Sequence, residues 1–276
     1  MLVLGANGQL GKALKKVFPE ATFFGREECD LSDPEQIHTL PFTSVDVIIN
    51  AAAYTAVDAA ETAEGKVLAE AINARAVELL AQESSKQDVT LVHVSTDYVF
   101  DGSKKDPYLE TDEFNPLSVY AQTKAAGDFA VNAVLRHYIV RTSWVIGEGN
   151  NFVRTMASLA DRGIAPSVVN DQIGRLTFTK DLAQGIKHLL TVQAPFGTYN
   201  LTNEGPKSTW ADIAAKVFEL TGHEPDNVTG VTTAEYFDGK EGIAPRPLWS
   251  MLDLSKIEAT GFTPENWETR LAEYLA

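Results

Sequence analysis

Three glycines spaced three residues apart, Gly5, Gly8 and Gly11, stand between an apolar stretch, Leu2–Leu4, and the amphipathic stretch Leu10–Phe18. Few features restrict a chain as much as a glycine turn joining a first strand to a first helix. The spacing is G-x-x-G-x-x-G, looser than the strict G-x-G-x-x-G of the dinucleotide fingerprint, but the physical demands are the same. Gly5 permits a tight turn, Gly8 lets backbone approach a pyrophosphate, and Gly11 lets the helix lie close to the sheet. The helix N-terminus then faces the phosphates, so Asn7, Gln9 and Leu10 count with the glycines as cofactor-contacting residues. Glycine-rich turns also occur where nothing binds. Placement directly after the first strand, inside a repeating strand–helix pattern, favours the binding reading.

That pattern continues. Ala21–Phe24, Val45–Asn50, Thr90–Ser95 and Tyr138–Thr142 read as further strands. Pro34–Leu40, one or two helices over Asp58–Glu83, and Tyr120–Leu135 read as the helices between them. Strands alternating with helices predict βαβ units in a parallel sheet. Nearly continuous apolar runs in the strands predict helices on both faces. The expected fold is a doubly wound, Rossmann-like α/β sheet with a smaller C-terminal substrate-binding lobe. After Ile146 the pattern loosens. Helices are expected at Phe152–Ala160, Asp181–Leu190 and Trp210–Leu220, strands at Ser167–Val169 and Gly197–Leu201, and irregular chain over Asp226–Gly242. The dividing point is placed at residue 147, giving a dinucleotide-binding domain over 1–146 and a lobe over 147–276. Helix 181–190 is free to pack back on the first.

The formal charge of −15 argues against sequence-independent nucleic-acid binding, which needs a basic surface. It leaves room for an anionic small molecule held by a helix N-terminus and one or two arginines. No apolar run approaches the roughly 20 residues that span a bilayer, so no membrane partner is expected. A single cysteine, Cys29, and a start that runs straight into the glycine turn point to the cytoplasm.

The end of the second strand meets the adenosine ribose in such folds, and an acidic residue there selects NAD. Here the strand ends Phe24-Gly25-Arg26. Arg26 is suited to a 2′-phosphate, although a solvated surface arginine looks the same, and Glu27 and Glu28 follow at once. Asp30 and Leu31 are placed to flank the adenine. Tyr120 and Lys124, four apart, share one helical face. A free phenol has a pKa near 10, and an adjacent ammonium lowers it. Lys124 also has the reach to bond a nicotinamide ribose. Thr96, just past its strand, is placed to hold a carbonyl oxygen while Tyr120 protonates it. Y-x-x-x-K alone is common in helices; the upstream glycine turn gives it meaning.

Together these elements resemble the extended short-chain dehydrogenase/reductase superfamily and, within it, the dTDP-4-dehydrorhamnose reductase family. The matching stretches include Asn50-Ala-Ala-Ala-Tyr-Thr-Ala-Val-Asp58, Ser95-Thr-Asp-Tyr-Val-Phe-Asp-Gly102 and Asn115-Pro-Leu-Ser-Val-Tyr-Ala-Gln-Thr-Lys124. They continue through Arg141-Thr-Ser-Trp-Val145, Asn170-Asp-Gln-Ile-Gly174 and Arg246-Pro247. The resemblance implies that Thr96, Tyr120 and Lys124 are catalytic and that Ala52, Ala53 and Tyr54 line the cofactor. It implies that Asp97, Tyr98 and Trp144 contact a deoxysugar and that Arg246 faces a nucleotide diphosphate. The implied reaction is NADPH-dependent reduction of a nucleotide-sugar ketone, with NADH also accepted.

Three departures from the family pattern stand out. Ala13 and Lys180 stand where metal-bridged dimers of the family carry glutamates, so no metal and either a monomer or a metal-independent dimer are expected. Leu176 replaces a usual proline. Leu248-Trp249 replaces a polar residue after Arg246-Pro247. Two rival readings share the scaffold: an epimerase or dehydratase that keeps NAD tightly bound, and a regulatory subunit resembling the methionine adenosyltransferase β subunit.

Overall fold

The computed structural model describes residues 1–276. In chain order the first part contains β1 (Leu2–Leu4), α1 (Gln9–Val17), β2 (Thr22–Phe24), α2 (Pro34–His38), β3 (Val47–Asn50), α3 (Ala63–Ala69), α4 (Ala76–Lys86), β4 (Thr90–Thr96), α5 (Val119–Asn132) and β5 (His137–Thr142). Next come β6 (Val145–Ile146), α6 (Phe152–Asp161), β7 (Ser167–Val169), β8 (Ile173–Gly174), β9 (Thr177–Phe178), α7 (Thr179–Thr191) and β10 (Gly197–Asn200). The chain closes with β11 (Ser208–Thr209), α8 (Trp210–Leu220), β12 (Thr229–Val231), α9 (Thr233–Phe237), α10 (Ser255–Glu258) and α11 (Trp267–Leu275).

Six strands form one parallel sheet in the order β10-β5-β4-β3-β1-β2. Alternate residues of each strand enter opposite cores. Leu2, Leu4, Ile48, Leu91 and Ile139 pack with Ala76, Val77, Leu80 of α4 and Val131 of α5. Val3, Ile49, Val92 and Val140 pack with Leu10 and Leu14 of α1 and Leu182, Ile186 and Leu189 of α7. Both faces are therefore covered, as the apolar runs require. A third core joins α6, α8 and α11 through Val153, Met156, Ile213, Val217, Phe218 and Leu271.

Residue 147 is not a clean division. Both α7 and β10 lie beyond it, yet α7 covers the sheet beside α1 and β10 is the sheet's sixth strand. Gly197-Thr-Tyr-Asn200 is short and mixed, and only Tyr199, Leu201 and their partners across β5 give it an apolar reason to join. Two further expectations need amending. The 58–83 stretch divides into α3 and α4 around a π-helical turn, Glu70–Arg75. The 226–242 stretch is not all irregular: β12 pairs with β7, and Thr232 and Glu235 form a reciprocal capping box that starts α9. No helix is long and apolar enough to cross a membrane.

Candidate active site

The strand order changes direction between β1 and β3, and in open α/β sheets ligands gather beyond the strand ends at that point. A cavity of about 780 Å³ lies there. Gly5, Asn7, Gly8, Gln9 and Leu10 line one end, and Arg26, Asp30, Leu31, Ala52, Ala53 and Tyr54 continue it. Thr96, Asp97, Tyr98, Tyr120, Lys124 and Trp144 line the other end. Two of the expected site residues lie outside the lining, Gly11 and Arg246.

The glycine turn is shaped by contact. Gly5 has φ +87°, and a Cβ there would sit 2.7 Å from the Ala52 nitrogen. A Cβ on Gly11 would come within 2.1 Å of the Gly5 carbonyl oxygen, so the glycine holds α1 against β1 from behind the cavity. The N-terminus of α1 carries no capping side chain and no acidic residue in its first turn. Its backbone N–H groups and dipole are thus available to an anion. Gln9 spends its side-chain oxygen on the Gly147 N–H at 2.7 Å, which draws the loop after β6 over the turn.

At the β2 end of the cavity, Arg26 is three-quarters exposed and its Nε meets Asp30 Oδ2 at 3.1 Å. The Ser32 hydroxyl and N–H both donate to Asp30 and hold its carboxyl below the usual range. Glu28 turns back to accept the Gly25 N–H at 2.7 Å. Both glutamates after Arg26 are exposed, and Glu28 is the one that bonds back to the turn.

Tyr120 and Lys124 are both buried on α5, whose N-terminus is capped by Ser118. Thr96 ends β4; its hydroxyl donates to Asp97 Oδ1 at 3.1 Å and accepts the Tyr98 N–H at 3.2 Å. Burial pushes the Tyr120 phenol above its ordinary pKa, and the Asp97 carboxylate adds to this. The lowering expected from Lys124 is not realised, because Lys124 Nζ donates to the Val94 carbonyl at 2.8 Å and faces His93 Nε2 at 3.2 Å. Burial brings Lys124 itself down to about 8. Asp97 is pushed up to about 7 by burial, against the pull of neighbouring hydroxyls. Ser95 Oγ, Asp97 Oδ2 and Thr142 Oγ1 are buried without a hydrogen-bond partner although their residues line the cavity. Buried polar atoms are nearly always paired, so such a cluster marks a place for a polar ligand.

Trp144 adopts φ +47°, unusual for a bulky side chain. Its ring stacks on Trp210 of α8, centroids 3.9 Å apart, and a Cβ on Gly174 would strike its other side at 2.8 Å. Both partners lie beyond residue 147, so the Trp144 ring is held by the second half of the chain. Arg246 stands near the cavity rim, where its Nη2 meets Asp58 Oδ2 at 2.8 Å and its guanidinium covers the Phe237 ring. Asp58 follows the lining residue Val57.

Sequence reasoning missed several contributors. Asn73, buried in the π-helical turn, accepts the Tyr54 N–H at 2.9 Å and donates to the Tyr54 carbonyl at 3.0 Å, which fixes the backbone of that stretch of the cavity lining. A polar residue at mid-helix, where asparagine is unfavourable, was the available signal. Trp210 and His93 gave none beyond their residue type.

Fold and site together define a class: doubly wound α/β oxidoreductases that bind a nicotinamide dinucleotide and carry a tyrosine–lysine pair on one helix. Within it, the chain belongs to the family described as RmlD substrate binding domain, whose model matches residues 1–276. It is 37% identical over 282 residues to the spore coat polysaccharide biosynthesis protein SpsK of Bacillus subtilis (strain 168), covering 100% of this chain and 96% of that protein. It is also 37% identical, over 295 residues, to a dTDP-4-dehydrorhamnose reductase of Aggregatibacter actinomycetemcomitans, covering 100% of this chain and 98% of that one. The crystal structure of dTDP-4-dehydrorhamnose reductase from Bacillus anthracis in complex with NADP superposes with a TM-score of 0.90 at 34% identity, covering 99% of this chain and 97% of that one.

Proposed function

We propose that this chain is a cytoplasmic, NADPH-dependent reductase of the C4 ketone of dTDP-4-dehydro-L-rhamnose, yielding dTDP-L-rhamnose. One observation carries the reading: a single cavity joins the glycine turn to the buried Thr96, Tyr120 and Lys124 set. The cavity suits a dinucleotide. Side chains at Gly5 and Gly11 would collide with backbone, and the uncapped start of α1 offers N–H groups to a pyrophosphate. When bound, NADPH supplies the hydride. Gly5, Asn7, Gly8, Gln9 and Leu10 hold the pyrophosphate, Ala52, Ala53 and Tyr54 flank the dinucleotide, and Asp30 and Leu31 bracket the adenine. Lys124 bonds the nicotinamide ribose. Tyr120, kept protonated by its burial, gives its proton to the substrate oxygen, and Thr96 holds that oxygen by a second hydrogen bond. Asp97, Tyr98 and Trp144 contact the deoxysugar. Arg246 turns from Asp58 toward the diphosphate.

Incubation of the chain with the 4-keto sugar nucleotide and NADPH should consume one equivalent of reductant per ketone. Purification with stoichiometric NAD, and no net oxidation of NADPH, would instead favour the epimerase or dehydratase reading. Arg26, as exposed as it is, makes a 2′-phosphate contact worth about 1 kcal/mol. Arg26→Ala should therefore cut the NADPH/NADH ratio of kcat/KM about fivefold, and an unchanged ratio removes Arg26 from the cofactor site. Lys180 is paired with Glu273 at the surface and Ala13 lies among apolar neighbours. Sedimentation should give the same mass, monomer or metal-independent dimer, with magnesium and with EDTA. A mass that doubles with magnesium would refute this.

A further inference from the structure

Tyr120 and Lys124 begin a longer row. Asp128 lies one turn further along α5, so positions 120, 124 and 128 share one face. Lys124 is 2% exposed and Asp128 1%. His93, fully buried on β4, faces Lys124 Nζ with its Nε2 and lies 3.8 Å from Asp128 Oδ1, an oxygen with no hydrogen-bond partner. The other Asp128 oxygen accepts from Arg141 Nε at 3.0 Å, across from β5. Arg141 in turn donates to the Glu110 carbonyl.

None of His93, Asp128 and Arg141 lines the cavity, so any effect on substrate passes through Lys124. An ammonium this deep has exchanged its hydration for one backbone acceptor, the Val94 carbonyl. Desolvation favours its neutral form, and Asp128 acts in the opposite sense. His93 is held neutral by burial and by Lys124; its Nδ1 accepts from the Asn50 amide nitrogen at 3.2 Å, because Asn50 Oδ1 is taken by the Ala52 N–H, so the ring proton sits on Nε2, on the side of Asp128 Oδ1. The charged or titratable groups around Lys124 are Tyr120 and Asp128 on its own helix, His93 on β4, Arg141 beyond Asp128 on β5, and Asp97 beyond Tyr120 in the turn after β4.

We propose that Asp128 is a positioning residue: its buried carboxylate, one helical turn beyond Lys124, supplies the counter-charge that keeps the ammonium protonated at the cavity floor. The proposal rests on the reductase reading, in which the ammonium is the working form of Lys124.

The test combines two readouts on the full-length chain. One is the alkaline limb of kcat/KM for reduction of the 4-keto sugar nucleotide. The other is the lysine ¹³Cε titration of Lys124 without substrate, assigned by its loss in Lys124→Arg. Asp128→Asn keeps an oxygen for Arg141 and removes the charge; it should lower both the limb and the titration by about one pH unit. Asp128→Glu, which keeps the charge, should recover most of the shift. A Lys124 titration that stays at its wild-type position in Asp128→Asn overturns the proposal. A titration that moves in a chain that reduces no ketone upholds the counter-charge and fails the reductase reading instead.

Discussion

Tyr120→Phe is expected to lower kcat for ketone reduction about a hundred- to ten-thousand-fold while cofactor affinity stays near normal. The ring remains and only the hydroxyl is lost. Tyr98, edge-on to Tyr120 with centroids 5.7 Å apart, has its own phenol raised by burial and is set to retain its proton. Lys124→Ala should cost more, because it also removes the ribose contact and leaves Asp128 facing Arg141 alone. Thr96→Val should cost less, since one hydrogen bond to the substrate oxygen remains. Steady-state turnover with cofactor affinity measured separately by fluorescence distinguishes these outcomes. Near-normal turnover in Tyr120→Phe would show that the proton comes from elsewhere, and the proposed mechanism would fall.

The second large effect is on stability. Asp97 is pushed up to about 7 from an ordinary 3.8, with burial the main cause. A raised carboxyl favours the protonated folded state. Its contribution is complete below about pH 4 and is lost as pH climbs to 7, a swing of roughly 4 kcal/mol. Asp97→Asn removes the ionisation, so at pH 8 the variant should melt roughly 10 °C above the parent. At pH 4 the two should melt together. Weaker binding of the sugar nucleotide should accompany the gain, as is usual where a site keeps a group the fold would sooner lose. Thermal melts across that pH range decide the matter: parallel curves for the two proteins would mean that Asp97 ionises without cost.

The parts of this molecule that were legible in its sequence are those written in local patterns. Leu2–Leu4 followed by Gly5, Gly8 and Gly11 marks the first strand, turn and helix, because the turn's sterics admit little else. Tyr120 and Lys124 are legible for the same reason, as a helical spacing. What depends on distant partners was not. Gly197–Leu201 was readable as a strand, but nothing local says that it pairs with β5 as the sixth strand of the main sheet. The α9 cap was readable in Thr232-x-x-Glu235 but passed over among polar neighbours. Arg246 was expected to face a ligand, and its bond to Asp58 crosses most of the chain's length. The turn of the Lys124 ammonium toward His93 follows from the β4–α5 contact, which no spacing encodes.

The sheet's last strand carries a consequence for synthesis. A ribosome that has released the first 146 residues holds five strands whose β5 edge is bare, and every residue of β5 is buried in the finished molecule. An unpaired edge of that kind is a template for pairing with other chains. It is closed only when Gly197–Asn200 emerges, after the α6 segment and α7 have passed. At about 5–20 residues per second, that leaves an interval of several seconds in which the nascent cofactor layer is open to misassembly.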